Sequence, residues 1–220
     1  MVAFGLFQKL PMNLPIQGIT ISLLLSYAVL PIVSHPYVAQ LTDTLIVPGE
    51  RVDKVKKNTS EQDLIKLFGT SHLVDKTIPG AEGEGSNPAT QVNLSQGRSL
   101  LIVWRDSTRS HPAYIKILGP AWKTPEGIGI GTPLGELRRK LGDFKLYGLG
   151  WDYSGTILLQ SSYLSRYQGK LVLQVGTTTA AANKFPQDYK AVSGEKTFSA
   201  ADPHWKSLGV KITQMTVILP

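Results

Sequence analysis

Cysteine is absent from the 220 residues, which excludes disulfides, thiolate catalysis, thiolate metal sites and lipid attachment at a lipobox cysteine. Histidine is scarce. His35, His72, His111 and His204 are far apart, with no HxH or HxxxH, so nothing in the spacing supplies the ~three converging ligands a metal needs. No GxSxG occurs that would mark a nucleophile elbow. No uninterrupted apolar run reaches the ~20 residues of a membrane-spanning helix. Charged residues are 18% and apolar ones 42%, the balance of a globular protein. Anionic charge is the weaker sign: 16 acids stand against 23 lysines and arginines, a net +7. Such an excess favours anionic partners over neutral ones.

Residues 1–39 are of a different kind. Lys9 is their one charged side chain, and Ile19 to Val33 is an apolar run that stops short of a span and is broken by Pro31. The pattern predicts a secretory signal cleaved near Ala39-Gln40, although Tyr37 stands where a small residue is preferred. The alternative is an uncleaved N-terminal anchor, so membrane association is expected only through this segment. Either way the globular part belongs outside the cytoplasm, periplasmic or secreted. Export, and the lack of a binding motif, argue against a nucleic-acid partner.

The stretch from Trp122 to Gly142 carries the clearest local instructions. Thr132 is placed to cap a helix, Pro133 suits its first position, Leu134, Leu137 and Leu141 share a face, and Gly142 ends it. The chain says this twice. At an offset of 73 residues, VKKNTSEQDLIKLFG from Val55 matches IGIGTPLGELRRKLG from Ile128, with Thr59, Leu64 and Gly69 opposite Thr132, Leu137 and Gly142. In the first copy Thr59 and Gln62 form an expected capping box. Helices of eight or nine residues do not stand alone, so each must pack on a sheet.

Strands are expected at 45–47, 91–94, 99–105 and 114–118, with 100–104 (LLIVW) central and SQG turning the hairpin before it. Val52 and Val55 alternate with charges as an edge strand does. Residues 78–90 read as a Gly-, Ser- and Pro-rich loop. In the second half, two strands flank a turn at 152–155, and 170–176 and 210–219 are strands. Residues 177–203 read as an irregular insertion. The expected architecture is α+β: two tandem repeats, 40–120 and 121–220, each a short helix packed on an antiparallel sheet.

Several constellations invite chemistry. Gly127, Gly129, Gly131 and Gly135 suggest a phosphate-binding turn, but Pro133 removes an amide from its phosphate-facing end and no parallel βαβ unit follows. The glycines are better explained by close strand passage, and no cofactor is expected. Glu82 and Glu84, with Asp75, are too few for a calcium site, which takes 6–8 oxygens. Asp106, Ser110 and His111 make a triad on paper only. Trp122, Trp151 and Tyr153 are either core or an exposed aromatic face for a protein, glycan or peptide. Arg138, Arg139 and Lys140 form a basic helix face.

PGERVDKVKKNTSEQDLIKLFG, GAEGEGS, LLIVWRD, WKTPEGIGIGTPLGEL and YGLGWDYSG, in that order, resemble a family of uncharacterised secreted bacterial proteins over 47–159. That family favours glycine where this chain has Asp53. More loosely, each half is similar to the helix-on-sheet module of the β-lactamase inhibitor proteins and of a small lipoprotein of the outer-membrane assembly machinery, which work by binding other proteins. The resemblance implies a fold and a compartment but transfers no activity.

The sequence therefore predicts an exported, non-catalytic binding or envelope-associated protein. Trp122, Trp151, Tyr153, Arg138 and Arg139 are its candidate contacts, no metal is expected, and an envelope protein or an anionic polymer is the partner. The alternative is a hydrolase of cell-wall or carbohydrate substrates using carboxylates such as Asp106 and Asp152, which would have to stand ~5–10 Å apart.

Overall fold

Two eight-residue runs with apolar side chains on one face become helices, and both close on glycine. A computed structural model describes residues 43–80 and 85–220, so the expected signal segment, Glu82 and Glu84 lie outside the described residues. Helix α1 is Glu61–Phe68 and α2 is Leu134–Leu141. Gly69 and Gly142 take positive φ (80° and 74°) and return their amides to the carbonyls of Ile65 and Arg138. That backbone is natural for glycine and strained for other residues.

The helix starts differ from expectation by one residue. Ser60, not Thr59, caps α1: its hydroxyl accepts from the Asp63 amide, and Asp63 accepts from the Ser60 amide in return. The box is Ser60–Asp63 rather than Thr59–Gln62. Pro133 stands at the cap of α2, just before its first helical residue, with no side-chain bond. The threonines do another job. Thr59 Oγ1 accepts from the Lys56 amide at 2.9 Å, and Thr132 Oγ1 accepts from the Gly129 amide at 3.1 Å. Each closes a three-residue turn two residues before its helix begins, and both are buried.

Ahead of α1, β1 (Ile46–Val47), β2 (Arg51–Val52) and β3 (Val55–Lys56) form a small antiparallel meander. The expected edge strand over 52–55 is instead two strands joined through Asp53, whose φ of 52° lies in the left-handed region. Aspartate is among the few residues that tolerate this backbone. After α1 come β4 (Leu73–Pro79), β5 (Ser86–Leu94), β6 (Arg98–Trp104) and β7 (Pro112–Ile117). The supposed loop 78–90 is mostly strand, because Ile78 and Pro79 pair with Asn87 and Ser86 to extend the β4–β5 ladder. Partner pairing overrides the Gly/Pro composition there.

After α2 come β8 (Lys145–Tyr147), β9 (Ile157–Leu158) and β10 (Leu171–Gly176). Residues 177–203, expected to be irregular, hold α3 (Thr179–Lys184), α4 (Pro186–Ala191) and β11 (Thr197–Ser199), with Thr178 capping α3. Strand β12 (Lys211–Ile218) closes the fold. The main sheet is six-stranded and antiparallel, in the order β10-β12-β7-β6-β5-β4, and β11-β8-β9 is a smaller antiparallel sheet. Antiparallel sheets with a few short helices make this an α+β fold.

Cross-strand pairs such as Leu100–Ile117, Ile102–Ile115 and Leu173–Met215 share the sheet's inner face. They join Leu64, Leu137 and Leu141 in one buried cluster that runs from Ile46 to Leu219. The described residues accordingly form a single compact unit. Burying each of these leucines is worth about 1.5–3 kcal/mol. Trp122 is fully buried in the same cluster. Behind it the chain passes so close that a Cβ on Gly129 would stand 2.2 Å from the Trp122 carbonyl oxygen.

Candidate binding surface beside helix α2

Helix α2 buries Leu134, Leu137 and Leu141, which turns its charged residues outward. Lys140 folds back, its Nζ 2.7 Å from the Glu126 carbonyl and 3.5 Å from Glu136. Arg138 and Arg139 stay outside. Arg138 reaches Asp143 at 3.3 Å with one nitrogen, and Arg139 reaches only the Gly135 carbonyl, also at 3.3 Å. Exposed contacts of this kind are worth little and leave the cations available.

Two grooves meet at Arg138. The larger, about 630 Å³, lies between α2 and the segment 200–211. Its floor includes Leu134, Ala200, Trp205 and Val210, all buried residues. Its rim carries Arg138, Lys206 and Lys211 against a single acid, Asp202, which already accepts from the His204 amide at 3.0 Å. Lys206 and Lys211 have no ion-pair partner among the described residues. The smaller groove, about 370 Å³, adds Arg139, Asp143 and Tyr163 and shares Gly135 and Arg138 with the first. Tyr163 is 73% exposed, and it packs over Gly142, where a Cβ would stand 2.9 Å from its ring.

The five expected contacts are not brought together. Trp122 is a correction: with its side chain sealed in the core it offers no surface, and its indole Nε1 is buried without a partner. Arg138 and Arg139 share the smaller groove. Trp151 and Tyr153 stand apart from both grooves, on the turn between β8 and β9. Trp151 is half-buried, donates Nε1–H to the Gly148 carbonyl at 3.0 Å, and meets Tyr147 and Tyr153 edge-on, with ring centroids 5.3 Å away in each case. Tyr153 is 61% exposed. Sequence reading missed Tyr163, Lys206 and Lys211. They join the arginines only because 200–211 folds onto α2, which no local periodicity signals.

Other polar clusters have the wrong order for acyl transfer. In the loop after β6, the Asp106 carboxylate holds the Thr108 hydroxyl, Thr108 meets Ser110 at 2.8 Å, and Ser110 meets His111 Nδ1 at 2.9 Å. A triad needs its histidine in the middle. The Thr108 bonds also push the Asp106 carboxyl below its usual pKa, away from a general acid's range. Asp152 is exposed on a separate loop. On α4, Asp188 takes both His204 Nδ1 at 2.7 Å and the Ser207 hydroxyl at 2.5 Å, which puts the acid in the middle. These bonds lower the Asp188 pKa and raise that of His204. Among the described residues no three His, Asp or Glu side chains gather as metal ligands, and no helix is long and apolar enough to cross a membrane.

No protein-family model matches the chain, and no curated protein does. Among solved structures it is similar to the uncharacterised protein yfeY of Escherichia coli, at a TM-score of 0.42 and 14% identity, over 78% of this chain and 95% of that one. A likeness at that level carries no argument about function.

Proposed function

We propose that this is an exported, non-catalytic binding protein that engages an envelope partner along the outer side of α2. The supporting observation is that Arg138 is shared by two adjoining grooves whose cations outnumber their acids. The apolar floor around Leu134, Trp205 and Val210 favours a protein segment that mixes acidic and apolar side chains over a plain polyanion. Export rests on the apolar N-terminal run alone, and the likeness to a secreted bacterial family remains part of the same proposal. The hydrolase alternative has no specific observation in its favour, since Asp106 and Asp152 line neither groove.

The test is recovery of partners from an envelope extract on the tagged protein, side by side with Arg138→Glu and Lys206→Glu, and with polyphosphate as competitor. A partner held by the native protein and released by either charge reversal supports the reading. Equal recovery on all three proteins sinks it. Full displacement by polyphosphate, with no protein retained, would move the assignment to an anionic polymer.

A further inference from the structure

A second cleft has the opposite chemistry. It encloses about 720 Å³ between the β8–β9 turn and the start of the insertion, within the 300–1,000 Å³ usual for small-molecule sites. Every lining residue is uncharged; Leu149, Ser154, Thr179, Asn183, Pro186 and Tyr189 are its main walls. A charged ligand would find no counter-ion there, and a wholly apolar one would leave amide and hydroxyl groups unpaired.

Some of those polar groups are already committed. Ser154 Oγ accepts from the Gly150 amide at 3.1 Å, Thr177 donates to the Leu208 carbonyl at 2.5 Å, and Thr178 caps α3. The Asn183 amide and the Thr179 and Tyr189 hydroxyls have no hydrogen-bond partner among the described residues. They supply both donors and acceptors, all neutral. Tyr189 is set in place from its backbone, which accepts the Ser193 hydroxyl at 2.6 Å and donates to Phe185 at 3.0 Å.

We propose that this cleft binds a neutral carbohydrate, whose hydroxyls pair with Asn183, Thr179 and Tyr189. An uncharged polyol is the ligand class that matches a set of neutral donors and acceptors. The site shares no residue with the grooves at α2 and stands independently of the reading proposed for them.

The experiment is an amide-shift titration of the protein with cellotriose, maltotriose and tri-N-acetylchitotriose, each to about 10 mM, the weak end of the affinity scale. Saturable shifts at Leu149, Ser154, Thr179 and Asn183 with at least one of the three are expected. Asn183→Leu and Tyr189→Phe should each weaken that binding about five-fold, the loss of one hydrogen bond. Arg138→Glu should leave the titration unchanged, which separates failure of this site from failure of the one at α2. No saturable shift in the cleft with any of the three sugars overturns the proposal, as does binding of native strength in the Asn183→Leu, Tyr189→Phe double variant.

Discussion

Helices α1 and α2 have the same length, start 73 residues apart and end on glycines of nearly equal φ, yet they are held by different means. Helix α1 is secured at its end: a reciprocal Ser60–Asp63 box, and Glu61 taking both Arg109 and the Thr90 hydroxyl, which in turn accepts from Trp104 Nε1. It buries one residue, Leu64. Helix α2 has no side-chain cap and buries three leucines. One local pattern can thus be supported from its hydrogen-bonded end or from its packed face, and the helix supported by its face is the one that turns cations toward grooves.

The strands extend the comparison. Strands β4 to β7 run from the sheet edge to its middle, and β10 and β12 approach the same middle from the other side, with Thr156, the residue before β9, bridged to Gln174 of β10. Leu100 and Ile102 have Leu173 and Val175 as counterparts at the same 73-residue offset, all buried. The last strands of the halves, β7 and β12, pair antiparallel, the relation expected across a two-fold axis. We propose that the two halves are copies of one unit, with 177–203 present in the second half alone.

The largest test of that reading is Leu64→Ala against Leu137→Ala. Both side chains are fully buried, and each truncation should cost ~2–5 kcal/mol in urea melts. A harmless Leu64→Ala beside a severe Leu137→Ala would remove the equivalence. Ser60→Ala comes next, with a loss of ~1 kcal/mol, whereas Pro133→Ala, which removes no side-chain cap, should stay within ~0.5 kcal/mol. Equal losses at the two caps would contradict the contrast between end and face.

Asp53 offers a change of the other sign. It is 5% exposed, its Oδ1 has no partner, and burial raises its carboxyl pKa, with nearby Asp43 adding to the effect. Folding therefore favours the protonated acid, so its charge subtracts stability once pH exceeds the ordinary carboxylate value. Asp53→Asn, which tolerates the same backbone, should add about 1 kcal/mol at neutral pH and nothing near pH 3. Thermal melts at the two pH values decide it.

The smallest effect belongs to the insertion. Asp188 is lowered and His204 raised by their mutual bond, so the acid's contribution is complete above about pH 4 and the histidine's below about pH 6.5. The difference in melting temperature between the native protein and Asp188→Asn should peak between those limits. It should shrink as pH falls through the depressed Asp188 value or rises through the elevated His204 value. A difference that is flat from pH 4 to 9 would show the pair to be idle.

Legibility followed locality. Both helices and their glycine ends, the SQG turn with Gln96 and Gly97 at positive φ, and strands β6, β10 and β12 follow from patterns shorter than ten residues. The β4–β5 ladder did not, because pairing fixed the conformation of Pro79 and Pro88 against their composition. Trp122 and Trp151 look alike in sequence, yet the first is sealed in the core and the second is half-buried on a turn, a difference that only the tertiary packing sets. Arg138 and Arg139 were readable as outward-facing, but the grooves they line need Lys206, Lys211 and Tyr163 from distant parts of the chain.

Consider what the β7–β12 seam asks of a chain being made. Lys116 sits opposite Thr216, a hundred residues downstream. At ~5–20 residues per second, β7 waits roughly 5–20 s for its neighbour after it has been synthesised. Throughout that interval the first four sheet strands present an open hydrogen-bonding edge of Tyr114, Ile115 and Lys116. Until β12 arrives that edge is open to pairing with another chain, and a holding factor would guard it.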